Sequence, residues 1–217
     1  MRPAVFLAAL IPFALLLRGL LLTGDLGADP LKTITDVTGL WTLRFLCITL
    51  AVTPVRRLTG WNAAIRFRRM LGLFAFFYGS LHLLIFIVAD RLASLGFPSL
   101  LVWQNIRELA ASIGGEIYKR PYITIGFTAL LLLIPLAVTS TNKMMRRLGR
   151  RWQKLHRLIY VIAVLGVWHF YWQVKRDVRE PLIYAGILAL LLGYRWASAQ
   201  QRKATSTSGS ATAPGRT

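Results

Sequence analysis

The chain is poor in several residue types that soluble enzymes rely on. Of its 217 residues only one is cysteine, three are histidine and eight are acidic. The single cysteine, Cys47, excludes an internal disulfide and reads as a small packing residue within an apolar run. No strand-turn-helix unit with a glycine fingerprint is present, so chemistry that needs a dinucleotide-binding fold must come from another protein. There is also no polar stretch long enough for a large soluble domain, and no internal repeat stands out.

What is abundant is apolar sequence. The chain is 55% hydrophobic with a mean hydropathy of +0.53, the composition of a polytopic membrane protein. Apolar runs recur at Ala4 to Leu22, Leu40 to Val55, Met70 to Ala89, Tyr122 to Val138, His156 to Trp172 and Leu182 to Ala197. Each is about 16 to 20 residues, enough for one bilayer-spanning helix. The expected fold is all-α, a polytopic bundle of six transmembrane helices occupying 1–197. A disordered tail is expected over 198–217, where Ser, Thr, Ala and Gly dominate. The first run follows a very short n-region and lacks a convincing cleavage site, so it reads as a retained span.

The net charge of +19 is divided between alternate connectors. One set holds Arg2, then Arg56, Arg57, Arg66, Arg68 and Arg69, then Lys143, Arg146, Arg147, Arg150, Arg151 and Lys154, then Arg195, Arg202, Lys203 and Arg216, with no acid among them. The other set holds every acid of the chain. Positive charge in short loops marks the cytoplasmic side, so both termini are expected in the cytoplasm. The basic loops then need only topology and anionic lipid headgroups as explanation, and nucleic-acid binding is not expected. The longest connector, Asp90 to Arg120, lies on the opposite side. Trp103, Ile106, Ala110 and Ile113 recur there at helical spacing, which predicts a short interfacial helix, compatible with a docking surface for a partner.

All three histidines fall in or at the mouth of apolar runs, where an imidazole needs a buried partner. His82 lies about 20 Å along the third span and His169 about 22 Å along the fifth, counted from the basic side. Two imidazoles on different helices at one depth are what an axially bis-histidine haem requires. No CxxCH motif exists, so the haem would be b-type. The plain alternative is that each histidine hydrogen-bonds a neighbouring helix. His156 stands apart, about 20 Å from His169 and turned about 140° from it on an ideal helix. It could serve a second haem, with Met70, Arg69 or an open position opposite, or a quinone or flavin, or simply be a wet interfacial residue. Arg44, one turn or so into the second span, could bind a haem propionate or snorkel to the headgroups.

Several segments carry a family resemblance: GADPLK at Gly27 to Lys32, TPVRR at Thr53 to Arg57, RFRRMLGL at Arg66 to Leu73 and LHLL at Leu81 to Leu84. To these are added RPYITIG at Arg120 to Gly126, TSTNKMMRRLGRRWQKLHRLIY at Thr139 to Tyr160, WHFYW at Trp168 to Trp172 and PLIYAG at Pro181 to Gly186. In this order the chain resembles the MsrQ family (earlier YedZ), haem-binding membrane subunits of the bacterial protein-methionine-sulfoxide reductase system. The wider resemblance is to ferric-reductase-like transmembrane domains, including NADPH oxidases. Those relatives carry two histidines on each of the third and fifth helices. Here the third helix offers only His82, so four histidine ligands cannot be carried over.

The resemblance implies an electron-transfer subunit of the bacterial inner membrane, binding haem b and FMN. Electrons would come from the quinone pool or a cytosolic flavin reductase. They would pass to a periplasmic molybdopterin reductase, which carries out the reduction of methionine sulfoxide. No local motif places FMN, although Arg66, Arg68 and Arg69 could meet its phosphate. A function of another class is a small transporter with histidines in a proton path, but the inverted repeats and broken helices typical of transporters are not evident.

Overall fold

A computed structural model describes residues 2–95, 114–115, 118–174 and 177–211. The helices are α1 (Arg2–Arg18), α2 (Pro30–Thr59), α3 (Arg68–Leu95), α4 (Pro121–Val138), α5 (Asn142–Leu148), α6 (Arg150–Leu155), α7 (Leu158–Gln173) and α8 (Arg179–Ala211). Among the described residues there is no strand. Six stretches are long and apolar enough to cross a membrane: Pro3–Thr23, Pro30–Thr59, Asn62–Ile87, Pro121–Val138, Arg150–Gln173 and Arg179–Gln201. They follow the six apolar runs of the sequence, and the protein is an all-α, multi-pass membrane bundle. The interfacial helix expected around Trp103 to Ile113 lies outside the described residues.

Local chemistry explains where the spans exceed the apolar runs. The second helix begins ten residues before Leu40 because Asp29 caps it, its carboxylate accepting from the Lys32 amide at 3.0 Å, with Pro30 in the first turn. It ends at Gly60, whose φ of 71° suits only a residue without a Cβ. The final helix continues past Ala197 to Ala211, where a tail was expected. Gln200, Gln201, Arg202, Lys203 and Ala204 are good helix formers and carry the spiral beyond the apolar stretch. The fifth span is not one continuous helix. A turn at His156 and Arg157 separates α6 from α7, with Arg157 and Tyr160 amides bonding three residues back. The angle of about 140° between His156 and His169, which assumes an unbroken spiral, therefore does not apply.

The core sits chiefly between α2 and α3. Phe45 stacks on Tyr78 at 5.4 Å and on Phe74 at 5.5 Å, and Trp41 joins the group. Outward faces stay apolar: Leu190 is 76% exposed and Leu22 is 81% exposed, side chains that only hydrocarbon would cover favourably. Tyr78 also anchors α1. Its hydroxyl accepts from the Phe13 amide at 3.1 Å and donates to the Ala9 carbonyl at 2.9 Å. Those groups would otherwise bond each other, so the phenol is inserted into the helix ladder beside Pro12.

The absence of an internal repeat is corrected by the structure. The pairs α2/α3 and α4/α7 are the two most extensively packed helix pairs, and they are built alike. The ring of His82 meets the Thr35 carbonyl 47 residues earlier, and the ring of His169 meets the Tyr122 carbonyl 47 residues earlier. One turn beyond each carbonyl is a glycine, Gly39 and Gly126, and each lies against the histidine ring of its own pair. Three residues before each histidine stands another glycine, Gly79 and Gly166. Corresponding helices run in the same direction, so the two pairs are related by an axis along the bundle. In the sequence the repeat shows only as matched spacings, each histidine standing 43 residues after one glycine and three after another.

Candidate functional site

Two of the three histidines meet. His82 on α3 and His169 on α7 have ring centroids 6.1 Å apart and planes crossed at 82°. Nδ1 of His82 lies 2.9 Å from the Thr35 carbonyl, and Nδ1 of His169 lies 2.7 Å from the Tyr122 carbonyl. A carbonyl can only accept, so both Nδ1 atoms donate and both Nε2 atoms keep their lone pairs. The hydrogen bond to a neighbouring helix, which stood as the plain alternative to metal ligation, therefore uses one nitrogen of each ring and leaves the other for a ligand. A carbonyl partner on the distal nitrogen is the usual outer-shell support of a metal-bound imidazole.

The spacing suits one iron between the rings. With metal–nitrogen bonds of about 2.0 Å on either side, two imidazole centroids stand about 6 Å apart. The glycines make this approach possible. A Cβ on Gly126 would lie 2.8 Å from Nδ1 and Cε1 of His169, and one on Gly39 would lie 3.1 Å from the same atoms of His82. Both rings are half-buried. The donor set, two neutral imidazoles each held by a backbone carbonyl, fits a b-type haem. Among the described residues no group of three or more His, Cys, Asp or Glu could hold a metal ion.

The other candidates are placed separately. His156 caps α6, stacks on Trp152 at 3.8 Å, and has Nδ1 3.1 Å from the Trp152 carbonyl. Its Nε2 is buried, and the Leu136 backbone lies close to the ring. Counting along the repeat, the position matching His156 in the first pair is Arg69. Arg69 is committed to the α4–α5 junction, donating to Asn142 Oδ1 at 2.6 Å and to the Ser140 carbonyl at 3.3 Å. Arg66 is exposed and Arg68 half-buried. Arg44 does not simply extend to the headgroups: its Nε donates to the Tyr184 hydroxyl at 2.9 Å and its guanidinium lies 4.8 Å from the Trp41 ring centre. Met70 packs against the core.

Residues 38–167 match the family described as "Ferric reductase like transmembrane component". Over 181 residues the chain is 55% identical to a protein of Xanthomonas campestris pv. campestris (strain 8004), covering 83% of this chain and 76% of that one. It is 56% identical, over the same shares, to one from Xanthomonas euvesicatoria pv. vesicatoria (strain 85-10). A protein of Ralstonia nicotianae (strain ATCC BAA-1114 / GMI1000) is 53% identical over 207 residues, 92% of this chain and 88% of that one. Each relative is named protein-methionine-sulfoxide reductase heme-binding subunit MsrQ. The chain belongs to the MsrQ family. Sequence reading finds the histidine pair but misses Gly39 and Gly126, which lie against its rings. The shared 43-residue separation of Gly39 from His82 and of Gly126 from His169 is the signal that would have found the glycines.

Proposed function

We propose that the protein is a transmembrane electron-transfer subunit that holds haem b between His82 and His169. The observation that carries this reading is the pair of rings 6.1 Å apart, each tied by Nδ1 to a carbonyl of a neighbouring helix. Bound there, haem supplies a one-electron iron couple. The chain fixes both tautomers through Thr35 and Tyr122, and the surrounding apolar helices limit access of water. The same preset geometry in both oxidation states keeps reorganisation small.

The charge division supports an orientation with the arginine-rich end in the cytoplasm of a bacterial inner membrane. Electrons are then taken up at that end, from the quinone pool or a cytosolic flavin reductase, and delivered outward to a periplasmic molybdopterin-containing reductase that repairs methionine sulfoxide. The names of the relatives support the link to that system. In this reading 1–197 is the haem domain and 198–217 an appended tail. His156 serves a second cofactor near the cytoplasmic end, a haem, quinone or flavin. FMN is the flavin proposed, with Arg66, Arg68 and Arg69 as its candidate phosphate contacts. Arg44 is the candidate partner of a haem propionate on the opposite side.

The test is a pyridine haemochrome assay with flavin extraction on detergent-purified protein. A Soret band that disappears in His82→Ala and in His169→Ala is expected, and full haem content in either variant overturns the assignment. Direction is tested by reducing the protein with quinol or with a flavin reductase, then adding the methionine-sulfoxide reductase partner and following reoxidation.

A further inference from the structure

The two helix pairs give an electron two matching ways out of the histidine site, at the end of the bundle opposite the arginine-rich connectors. Each runs from a histidine ring through Nδ1 to a backbone carbonyl near the start of a neighbouring helix, Thr35 on α2 and Tyr122 on α4. The two residues hold the same place in the repeat, each 47 residues before its histidine. Their side chains differ. The Thr35 hydroxyl turns back onto the Leu31 carbonyl at 2.8 Å, so that way out ends in a saturated group engaged with its own helix. The Tyr122 ring instead lies beside His169, with centroids 6.3 Å apart and planes inclined at 35°. One residue therefore meets the imidazole twice, by its carbonyl at 2.7 Å and by its π system.

A tyrosine at a membrane surface often does no more than seat a helix among the headgroups. Tyr122 does more, because it is half-buried with its ring beside the histidine. Its hydroxyl accepts from Arg120 at 3.3 Å, and Arg120, Pro121 and Thr124 around it are exposed. The residue thus reaches from a ligand of the site to the protein surface. Trp168 and Trp172 on α7, both exposed and stacked on each other at 5.9 Å, form the rival route.

We propose that Tyr122 is the exit residue through which an electron leaves the His82–His169 site, toward a partner reductase seated over the start of α4 rather than of α2. Tunnelling weakens steeply with each gap between bonded atoms, and a ring beside the imidazole narrows the gap on the α4 side. One electron passes, oxidising ferrous iron to ferric and reducing the partner's acceptor centre by one. No bond forms or breaks, no proton moves, and the phenol bridges without being oxidised. The proposal rests on the reading of the histidine pair as a haem site with outward delivery.

The test uses the haem-loaded full chain in detergent, reduced, freed of reductant and mixed with oxidised methionine-sulfoxide reductase partner. Reoxidation is followed at the Soret band in a single turnover. Tyr122→Leu should lower the limiting rate at saturating partner by at least about tenfold. Haem content, reduction potential and the low-spin electron paramagnetic resonance spectrum should not change, because the backbone carbonyl is retained. Tyr122→Phe keeps the ring and should restore most of the rate, while Trp172→Leu should leave it as it is. Lys119→Cys carrying a bulky maleimide should block the transfer. Lys32→Cys, three residues before Thr35 as Lys119 is before Tyr122, should not when labelled alike, and the buried Cys47 stays unlabelled.

An unchanged limiting rate in Tyr122→Leu overturns the proposal, as does a change confined to half-saturation, which would make Tyr122 a docking residue only. A slowed rate with a shifted potential overturns it too, as does an equal loss in Trp172→Leu or an equal block by the two labels. If Tyr122→Leu does not fold, Tyr122→Thr decides, since it carries the residue of the first pair. A chain with no Soret band overturns the haem reading and the exit together, whereas a normal Soret band with an unchanged rate overturns the exit alone.

Discussion

Gly126 lies against the ring of His169 so closely that a single added methyl group would stand 2.8 Å from Nδ1 and Cε1. The ring cannot retreat without giving up the Tyr122 carbonyl on its Nδ1. Gly126→Ala is therefore expected to tilt the imidazole and cost about 1–3 kcal/mol of stability. Gly39→Ala should cost less, since its methyl would be 3.1 Å from the His82 ring. Thermal unfolding in detergent ranks the two. The low-spin electron paramagnetic resonance spectrum reads the ring planes directly, and an unchanged spectrum in Gly126→Ala would contradict the role given to the glycine.

Removal of haem should destabilise the fold, because a ligand bound only by the native state adds about 4 kcal/mol when present at a thousandfold its dissociation constant. The extracted protein is expected to melt well below the loaded one and to recover on adding hemin. His82→Ala and His169→Ala should melt like the extracted protein whether or not hemin is added. Recovery of either variant by hemin would show that its histidine is not a ligand.

Arg44 offers a separation of charge from packing. If its guanidinium meets a haem propionate, Arg44→Ala removes a positive charge from near the redox centre and lowers the reduction potential, by on the order of 50 mV. Tyr184→Phe breaks the bond to Arg44 Nε but keeps the charge, and should shift the potential far less. Potentiometric titration of both variants checks the pair, and an unchanged potential in Arg44→Ala would remove the propionate role.

Tyr78→Phe tests the docking of the first helix. Loss of the hydroxyl leaves the Phe13 amide and Ala9 carbonyl to find each other across a ladder opened beside Pro12. A loss of about 1–3 kcal/mol is expected. Haem content should be unaffected, since Tyr78 packs on Phe45 and Phe74 rather than on either histidine.

Much of this fold can be read from hydropathy alone, because a span is a property of composition and length. Depth counting also brings His82 and His169 to one level, since rise per residue is fixed by the helix. What could not be read is anything set by contact between helices. Gly39 and Gly126 look like ordinary small residues until the rings are seen against them. Arg195 counts as one more topology charge in a sum of loop residues, and only its bonds to Tyr160 and Leu50 set it apart. The break at His156 has no glycine or proline beside it to mark it, its neighbours being Lys154, Leu155, Arg157 and Leu158.

The two-part construction of the bundle bears on how a flat ligand is received. An axis along the helices exchanges His82 with His169, and with them the two sides of any plate held between them. A porphyrin whose rim is not symmetric can then be seated in either of two flipped poses with its acidic edge toward the same membrane face. Newly loaded protein is expected to contain both isomers, resolved as paired methyl resonances in paramagnetic proton spectra, and their ratio would measure how far the two halves have drifted apart.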